Sequence, residues 1–265
     1  MIKLNGNLVE LGSFPDGTML MKQDIPKEEK LKIDWFYEND RETLALMYLA
    51  NHLKAHGCEN IELFMPYIPN ARQDRVKTDE DVFTLKYFAK LINGLGFKKV
   101  TVLDPHSSVS EALIENINIL KPQKYIEGVI EKIKNECGSE PTMFYPDEGA
   151  GKRYSGMIPL PYAFGIKKRD WKSGQIMGLD VAGSIDLIDG KNILIVDDIC
   201  SKGGTFYFSA EKLKELGAKN IYLYVTHCEN SILEGKLIES GLIEKIYCTD
   251  SIFTSEHGLI EKIAL

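Results

Sequence analysis

The sequence predicts an α/β protein built on parallel sheets, and three observations carry that prediction. Strand-like apolar runs alternate with amphipathic helix-like ones from about Trp35 onward, the order expected when crossover helices join neighbouring strands. The run Ile193-Leu-Ile-Val196 is apolar at every position, which suits a central parallel strand covered on both faces. Glycines at 57, 94 and 96 fall where helical periodicity stops, as helix terminators do.

In order, Thr43 to His56 carries Leu46, Met47, Ala50 and Leu53 on one helical stripe, and Ile61 to Met65 reads as a strand. Phe83 to Leu95 is an amphipathic helix and Val100 to Leu103 the next strand. In the second half Thr142–Tyr145, Leu160–Phe164, Ile193–Val196 and Ile221–Val225 read as strands with helices between and after them, one being Phe206 to Leu216. The polar stretch Lys134-Asn-Glu-Cys-Gly-Ser-Glu-Pro141 is the linker candidate, dividing the chain into domains at residues 1–139 and 140–265. Lys167 to Gly174 is basic and lacks periodicity, the mark of a mobile loop.

With 265 residues, 44% of them hydrophobic and 27% charged, the chain has ample core for one large or two modest globular domains. Its net charge of −7 argues against nucleic acid or an anionic membrane as the main partner, so an anionic substrate must be met by local Arg and Lys clusters. No run is long and apolar enough for a signal peptide or a membrane span, and a cytoplasmic protein is expected. The cysteines at 58, 137, 200, 228 and 248 are odd in number and lack metal-type spacing, which favours thiols in a reducing compartment.

The chemistry concentrates in Ile193-Leu-Ile-Val-Asp-Asp-Ile-Cys-Ser-Lys-Gly-Gly-Thr205. Asp197 and Asp198 fall where the apolar run ends, at the edge where open α/β sheets bind ligands. Ser201 to Thr205 follows with a hydroxyl at each end and two glycines able to adopt φ > 0, the makings of an anion nest. The helix after it points its N-terminal amides and dipole at the same place. Carboxylates do not favour a phosphate, so they accept hydrogen bonds from sugar hydroxyls or hold a bridging metal ion. The bland alternative is a capped strand-to-helix turn with acidic residues at a solvated edge. His227 stands beside Cys228, but adjacent strand residues point to opposite faces, which argues against a Cys/His nucleophile pair.

This loop resembles the phosphoribosyl pyrophosphate (PRPP) binding loop of phosphoribosyltransferases and PRPP synthetases. Pro66-Tyr-Ile-Pro-Asn-Ala-Arg-Gln-Asp-Arg75 is very similar to the ATP-site signature of ribose-phosphate pyrophosphokinases, which plain phosphoribosyltransferases lack. Phe14-Pro-Asp-Gly17, Asp104-Pro-His106, Tyr145-Pro-Asp-Glu-Gly149 with Arg153, Lys168-Arg169 and Thr226-His227 each resemble a family segment at similar spacing. The resemblance implies two related phosphoribosyltransferase-like domains, each with a mainly parallel sheet flanked by helices. It implies transfer of the diphosphoryl group of ATP to the anomeric hydroxyl of ribose 5-phosphate, giving PRPP and AMP, with Mg²⁺ as cofactor. By the same resemblance Asp197 and Asp198 hold the ribose hydroxyls, and Ser201, Lys202, Gly203, Gly204 and Thr205 the 5-phosphate. Asp104, His106 and Asp147 bind or orient Mg²⁺. Phe14, Asp16, Arg72, Gln73, Asp74 and Arg75 belong to the ATP site, and Lys168 and Arg169 close over the reacting phosphates. A homo-oligomer, at least a dimer, is implied as well.

The chain also departs from the family pattern. Ser201 and Lys202 stand where the family usually has an acidic residue and a threonine, Asp170 where it has a second arginine, and Thr18 where the Phe-Ser-Asp/Asn-Gly/Gln-Glu segment ends in Glu. The segment before Phe14 is too short for the family's usual first helix, which bears on subunit packing and on regulation by phosphate and ADP. Lys202 motivates an alternative acceptor with an extended 5-phosphate, such as ADP-ribose. A PRPP-consuming phosphoribosyltransferase is disfavoured by Arg72-Gln-Asp-Arg75. A non-catalytic regulatory homologue draws its support from Asp170.

Overall fold

The structure, a computed structural model, describes residues 1–169 and 176–265, and for residues 167–169 and 176–178 the backbone alone. The chain divides into two units, Met1–Lys121 and Pro122–Leu265.

The first unit runs β1 (Ile2–Leu4), β2 (Asn7–Leu8), β3 (Leu11–Ser13), β4 (Met19–Met21), β5 (Leu31–Trp35), α1 (Arg41–Ala55), β6 (Ile61–Phe64), α2 (Thr84–Gly94), β7 (Lys99–Leu103), α3 (Ser108–Leu113) and β8 (Ile117–Leu120). Its main sheet has the order β2-β1-β5-β6-β7-β8. Strands β5 to β8 are parallel, while β1 lies antiparallel on β5 with Ile2 opposite Trp35 and Leu4 opposite Ile33. The apolar stripe of α1 delivers Leu46, Leu49, Ala50 and Leu53 into a core with Ile33, Trp35, Ile61, Leu63 and the buried face of α2. Strands β1 to β4 are two or three residues long. At that length no alternation can be read, and pairing with β5 and between β3 and β4 is what makes them strands.

The second unit continues with α4 (Gln123–Cys137), β9 (Thr142–Tyr145), α5 (Glu148–Tyr154), β10 (Tyr162–Arg169), β11 (Ile176–Gly183), β12 (Asn192–Cys200), α6 (Gly204–Glu215), β13 (Asn220–Cys228), α7 (Lys236–Glu239), β14 (Lys245–Thr249) and β15 (Ile260–Ile263), with 3₁₀ turns at Ile185–Leu187 and Asn230–Glu234. Its sheet has the order β11-β10-β9-β12-β13-β14-β15. All neighbours are parallel except the β10–β11 hairpin. On one face Ile193, Ile195, Ile221, Leu223, Val225 and Ile246 pack with Phe206, Ala210 and Leu213 of α6. On the other the Cys137 thiol of α4 meets the Tyr222 hydroxyl at 3.2 Å, and Lys132 of α4 lies over the Tyr247 ring. Both faces of β12 are thus covered, which is why all four residues Ile193–Val196 are apolar.

The division between units falls ahead of α4, whereas the polar stretch at Lys134–Pro141 is the linker expected from sequence. The contacts of α4 with Tyr222 and Tyr247 explain the difference, since they bind this helix to the second unit. Gly138, at φ 78°, then ends the helix by donating its N–H to the Lys134 carbonyl at 2.8 Å, so the polar stretch is a C-cap.

Candidate functional site

In the first unit the loops after the parallel strands β6 and β7 lie at one edge of the sheet, tied together where Leu103 N–H donates to the Pro66 carbonyl at 3.0 Å. After β6 the chain turns at Asn70, which takes φ 65°, a left-handed conformation that Asn tolerates better than most residues. Arg72 and Gln73 are thereby placed outward and exposed, with Gln73 Oε1 accepting from Thr84 Oγ1 at 3.0 Å at the start of α2. Asp74 turns inward and is buried. It accepts from Arg75 Nε at 2.7 Å and Nη2 at 3.0 Å, a two-pronged charged pair. Those hydrogen bonds hold its carboxyl at about 2, against the opposing effect of burial, with the Ser107 hydroxyl and His106 adding to the depression. After β7, Asp104 is buried at φ 42°, and its N–H donates to the Leu120 carbonyl at 3.0 Å. A non-glycine residue at this φ carries strain of order 1 kcal/mol. Arg72, Gln73, Asp74, Arg75, Asp104 and His106 therefore share one edge of the first unit.

Phe14 and Asp16 lie instead in the β3–β4 turn. Asp16 accepts from Thr18 Oγ1 at 2.7 Å and Thr18 N at 3.0 Å, which lowers its pKa. The Phe14 ring is left 49% exposed.

In the second unit the strand order places β9 beside β12, with the chain leaving β9 toward β10 on one side and β12 toward β13 on the other. That reversal is the switch point where open parallel sheets hold ligands. After β9, Asp147 caps α5 by accepting from Ala150 N–H at 3.0 Å. Strand β12 does not end at Val196: its pairing with β13 continues through Asp197↔Val225 and Cys200↔Cys228, so both carboxylates stand within the strand. Asp198, buried, lies 3.0 Å from Arg153 Nη1 of α5. Asp197 is half-buried. Desolvation first, then the Asp198 and Asp147 charges, push its carboxyl well above the usual carboxylate range, although it accepts from Asp198 N–H at 3.0 Å.

Of the two glycines expected to adopt φ > 0, Gly203 alone does so, because Gly204 already belongs to the helix. Gly203 takes φ 75° and α6 begins at Gly204, two residues before Phe206, leaving the first-turn amides of Gly204, Thr205 and Phe206 without intrahelical partners. Ser201 Oγ lies 3.2 Å from Ser231 Oγ, which donates to Glu229 Oε2 at 3.0 Å. Lys202 is exposed and pairs with Glu234 at 3.0 Å. Lys168 and Arg169, expected in a loop from Lys167 to Gly174, are backbone partners of Gly178 and Ile176 at the end of the β10–β11 ladder. Their side chains, and Asp170, lie outside the described residues.

His227 is buried with Nδ1 2.8 Å from Ser251 Oγ, in keeping with its exclusion from a Cys/His pair. Cys200, Cys228 and Cys248, distant in sequence, are all buried and free, and the first two are cross-strand neighbours. Sequence reasoning missed the Arg153–Asp198 pair and the whole segment Glu229–Leu237 beside the glycine loop. Nothing in Glu234-Gly235-Lys236 distinguishes it from an ordinary surface turn.

The donors suit a hard cation. Asp147, Asp197 and Asp198 offer carboxylate oxygens, and burial together with the neighbouring carboxylates raises Asp197, a shift that a bound cation would oppose. Among the described residues no three His, Cys, Asp or Glu side chains form a ready metal cage. Mg²⁺ takes few protein ligands and completes its shell with water and substrate phosphates, so the donor set is compatible with it. Among the described residues no helix is long and apolar enough to cross a membrane.

Two mainly parallel sheets with loops gathered at the strand ends, one of them an Asp-Asp strand running into a glycine-opened helix, define a phosphoribosyltransferase-like α/β protein. Over 97% of this chain and 86% of the other, the fold matches the crystal structure of phosphoribosylpyrophosphate synthetase from Mycobacterium smegmatis with a TM-score of 0.79 at 19% identity. The phosphoribosyl synthetase-associated domain family matches residues 174–262. Ribose-phosphate pyrophosphokinase of Pyrococcus abyssi is 31% identical over 233 residues, 85% of this chain and 79% of that protein. The enzyme of the same name from Saccharolobus solfataricus is 28% identical over 83% of this chain and 76% of its own length. The chain belongs to the ribose-phosphate pyrophosphokinase family.

Proposed function

We propose that this protein transfers the diphosphoryl group of ATP to the anomeric hydroxyl of ribose 5-phosphate, forming PRPP and AMP. The hydroxyl oxygen bonds to the β-phosphorus, the bond between that phosphorus and the α,β-bridging oxygen breaks, and AMP departs with that oxygen. The names of the relatives support this reading, and the observation that carries it is the end of β12. There a carboxylate strand paired with Arg153 leads directly into the left-handed Gly203 and the N-terminus of α6. Such an arrangement suits a sugar hydroxyl face joined to a phosphate.

In this reading the amides of Gly204 and Thr205, with the Ser201 and Thr205 hydroxyls, bind the 5-phosphate, and Asp197 and Asp198 accept from the ribose hydroxyls. Arg72, Gln73 and Arg75 bind ATP, with Asp74 fixing Arg75, and Phe14 and Asp16 contribute from the β3–β4 turn. Lys168 and Arg169 meet the charge that develops on the transferred phosphates. Asp104 and His106 in the first unit, and Asp147 in the second, are each candidate Mg²⁺ ligands, and Mg²⁺ would neutralise crowded phosphate charge. The Lys202–Glu234 pair already compensates the Lys202 ammonium, which ranks ADP-ribose and other extended acceptors second. A homo-oligomer is part of the proposal, supported by Leu44, Tyr48 and Phe14, each roughly half-exposed on the first unit. Incubation with MgATP and a panel of ribose phosphates, followed by separation of nucleotides, tests the reaction. AMP formed in proportion to ribose 5-phosphate is expected, and ADP as the sole nucleotide product overturns it.

A further inference from the structure

One short segment touches every residue that opens the glycine loop. Ser231, itself held by Glu229, reaches the Ser201 hydroxyl at 3.2 Å. Glu234 pairs with the Lys202 ammonium at 3.0 Å. Gly235 packs so tightly on the Lys202 carbonyl that a Cβ on it would collide with that oxygen, and it would also stand 3.2 Å from the Ile232 carbonyl oxygen. Leu237, buried, backs Gly203: a Cβ on Gly203 would meet the Leu237 Cδ2 at 3.0 Å and its Cβ at 3.1 Å. The backbone of Gly235 is at φ −89°, an angle open to any residue, so the reason for glycine there is space and not conformation.

These contacts have a common consequence. The anion nest consists of backbone amides whose directions are set by Lys202 and Gly203, and neither residue lies within a helix or strand that would fix it. Their positions are instead set by Gly235 on one side and Leu237 on the other, while Ser231 orients the hydroxyl at the nest's first position. We propose that Glu229–Leu237 is the positioning element of the sugar-phosphate site, with Gly235 and Leu237 as positioning residues for the loop amides and Ser231 as that of the Ser201 hydroxyl. The inference rests on the reading of the glycine loop as the 5-phosphate site. It adds residues that touch neither phosphate nor sugar yet decide how tightly the phosphate is held. A methyl at position 235 must move the Lys202 carbonyl outward, because the obstructing atom is backbone and cannot rotate away. The amides after it then lose their convergence on one anion.

The test uses the full chain with Gly235→Ala, Ser231→Ala and Leu237→Ala. The parent and each variant are titrated calorimetrically with ribose 5-phosphate and, separately, with MgATP, and AMP release is measured alongside. For Gly235→Ala, ribose 5-phosphate should bind at least about tenfold more weakly while MgATP affinity stays within about twofold. Ser231→Ala should show the same selectivity at about threefold to fivefold, and Leu237→Ala should fall between. Each should raise KM for ribose 5-phosphate more than it lowers kcat. Equal loss of both ligands, or unchanged sugar-phosphate binding in a folded Gly235→Ala, overturns the proposal. If Gly235→Ala does not fold, Ser231→Ala decides: it removes a single hydroxyl at half-buried Ser231, and unchanged ribose 5-phosphate affinity there overturns it equally. The parent protein separates the two levels. Binding of ribose 5-phosphate without AMP release sinks the proposed reaction and leaves the positioning test intact, whereas no binding of ribose 5-phosphate by the parent sinks both.

Discussion

Asp74, in the loop after β6, and Asp197, inside β12, are pushed to opposite sides of the ordinary carboxylate pKa. Asp74 is met by Arg75, its neighbour in sequence, through two hydrogen bonds, and is held at about 2. Asp197 is desolvated beside Asp198 and Asp147, and is pushed up. Arg153 pairs with Asp198, its Nη1 3.0 Å from the carboxylate. The first unit thus meets its buried carboxylate with the neighbouring residue in sequence, while in the second burial and adjacent carboxylates disfavour the charged form of Asp197. An edge already neutral is suited to presenting exposed Arg72 and Arg75 to an anion. A desolvated carboxylate beside other carboxylates is suited to hydroxyl donors and a divalent cation.

The largest effect that would break this comparison is expected at Asp198. Asp198→Asn removes the counter-charge of Arg153 and replaces a pure acceptor by a group that also donates. The specificity constant kcat/KM for ribose 5-phosphate should fall at least about a hundredfold, on the order of 3 kcal/mol, with KM for MgATP within about threefold. An unchanged acceptor constant removes Asp198 from the site.

Next come two substitutions of opposite sign. For Asp74 the folded pKa lies below the unfolded one, so its contribution to stability is fully present above about pH 4 and is lost as pH falls toward 2. Asp74→Asn should lower stability at pH 7 by about 2 kcal/mol, with the gap to the parent closing between about pH 4 and 2. For Asp197 the folded pKa lies above the unfolded one, so ionisation costs stability as pH rises past the unfolded value. Asp197→Asn should therefore raise the melting temperature at pH 7, and the gain should vanish in acid. Denaturation curves across pH decide both, and same-sign shifts at pH 7 would end the contrast.

Metal linkage sharpens the same point at smaller amplitude. Because a cation favours ionised Asp197, Mg²⁺ binding should release protons below the raised pKa of Asp197, and that release should shrink as pH rises through it. Calorimetry in buffers of different ionisation enthalpy reads the count, and Asp197→Asn should abolish its pH dependence. The smallest effect is expected at Lys202. Its pair with Glu234 leaves both side chains about two-thirds exposed, where such pairs contribute under about 1 kcal/mol. Lys202→Thr should change the preference for ribose 5-phosphate over ADP-ribose by less than about threefold. A tenfold change would make Lys202 a second-phosphate ligand.

Much of the fold was legible because long periodic segments report their own burial. Arg41–Ala55, Thr84–Gly94 and Ile193–Val196 carry apolar residues at the spacing their surroundings demand, and the helices and the central strand lie where that spacing puts them. The edges of elements were less legible. The run Asp197–Cys200 stays in the sheet because β13 continues beside it, and polar residues at a strand end give no sign of how far a neighbour extends. Lys167–Arg169 enter a strand for the same reason, through β11. Three-residue β1 is a strand only through its pairing with β5 and β2.

What the sequence determined by itself is the local chemistry: which residues could nest an anion, which carboxylates follow a buried apolar run, and which segments match a known family. Tertiary structure alone decided partnership. It paired Arg153 with Asp198, 45 residues away in sequence, and set Gly235 and Leu237 against the loop that opens α6. It also gave Asp74 and Asp197 opposite electrostatic states. The physical reason is that periodicity and turn chemistry act over a few residues, whereas the charge, burial and steric limits of a site are set by whichever side chains the sheet order brings alongside it.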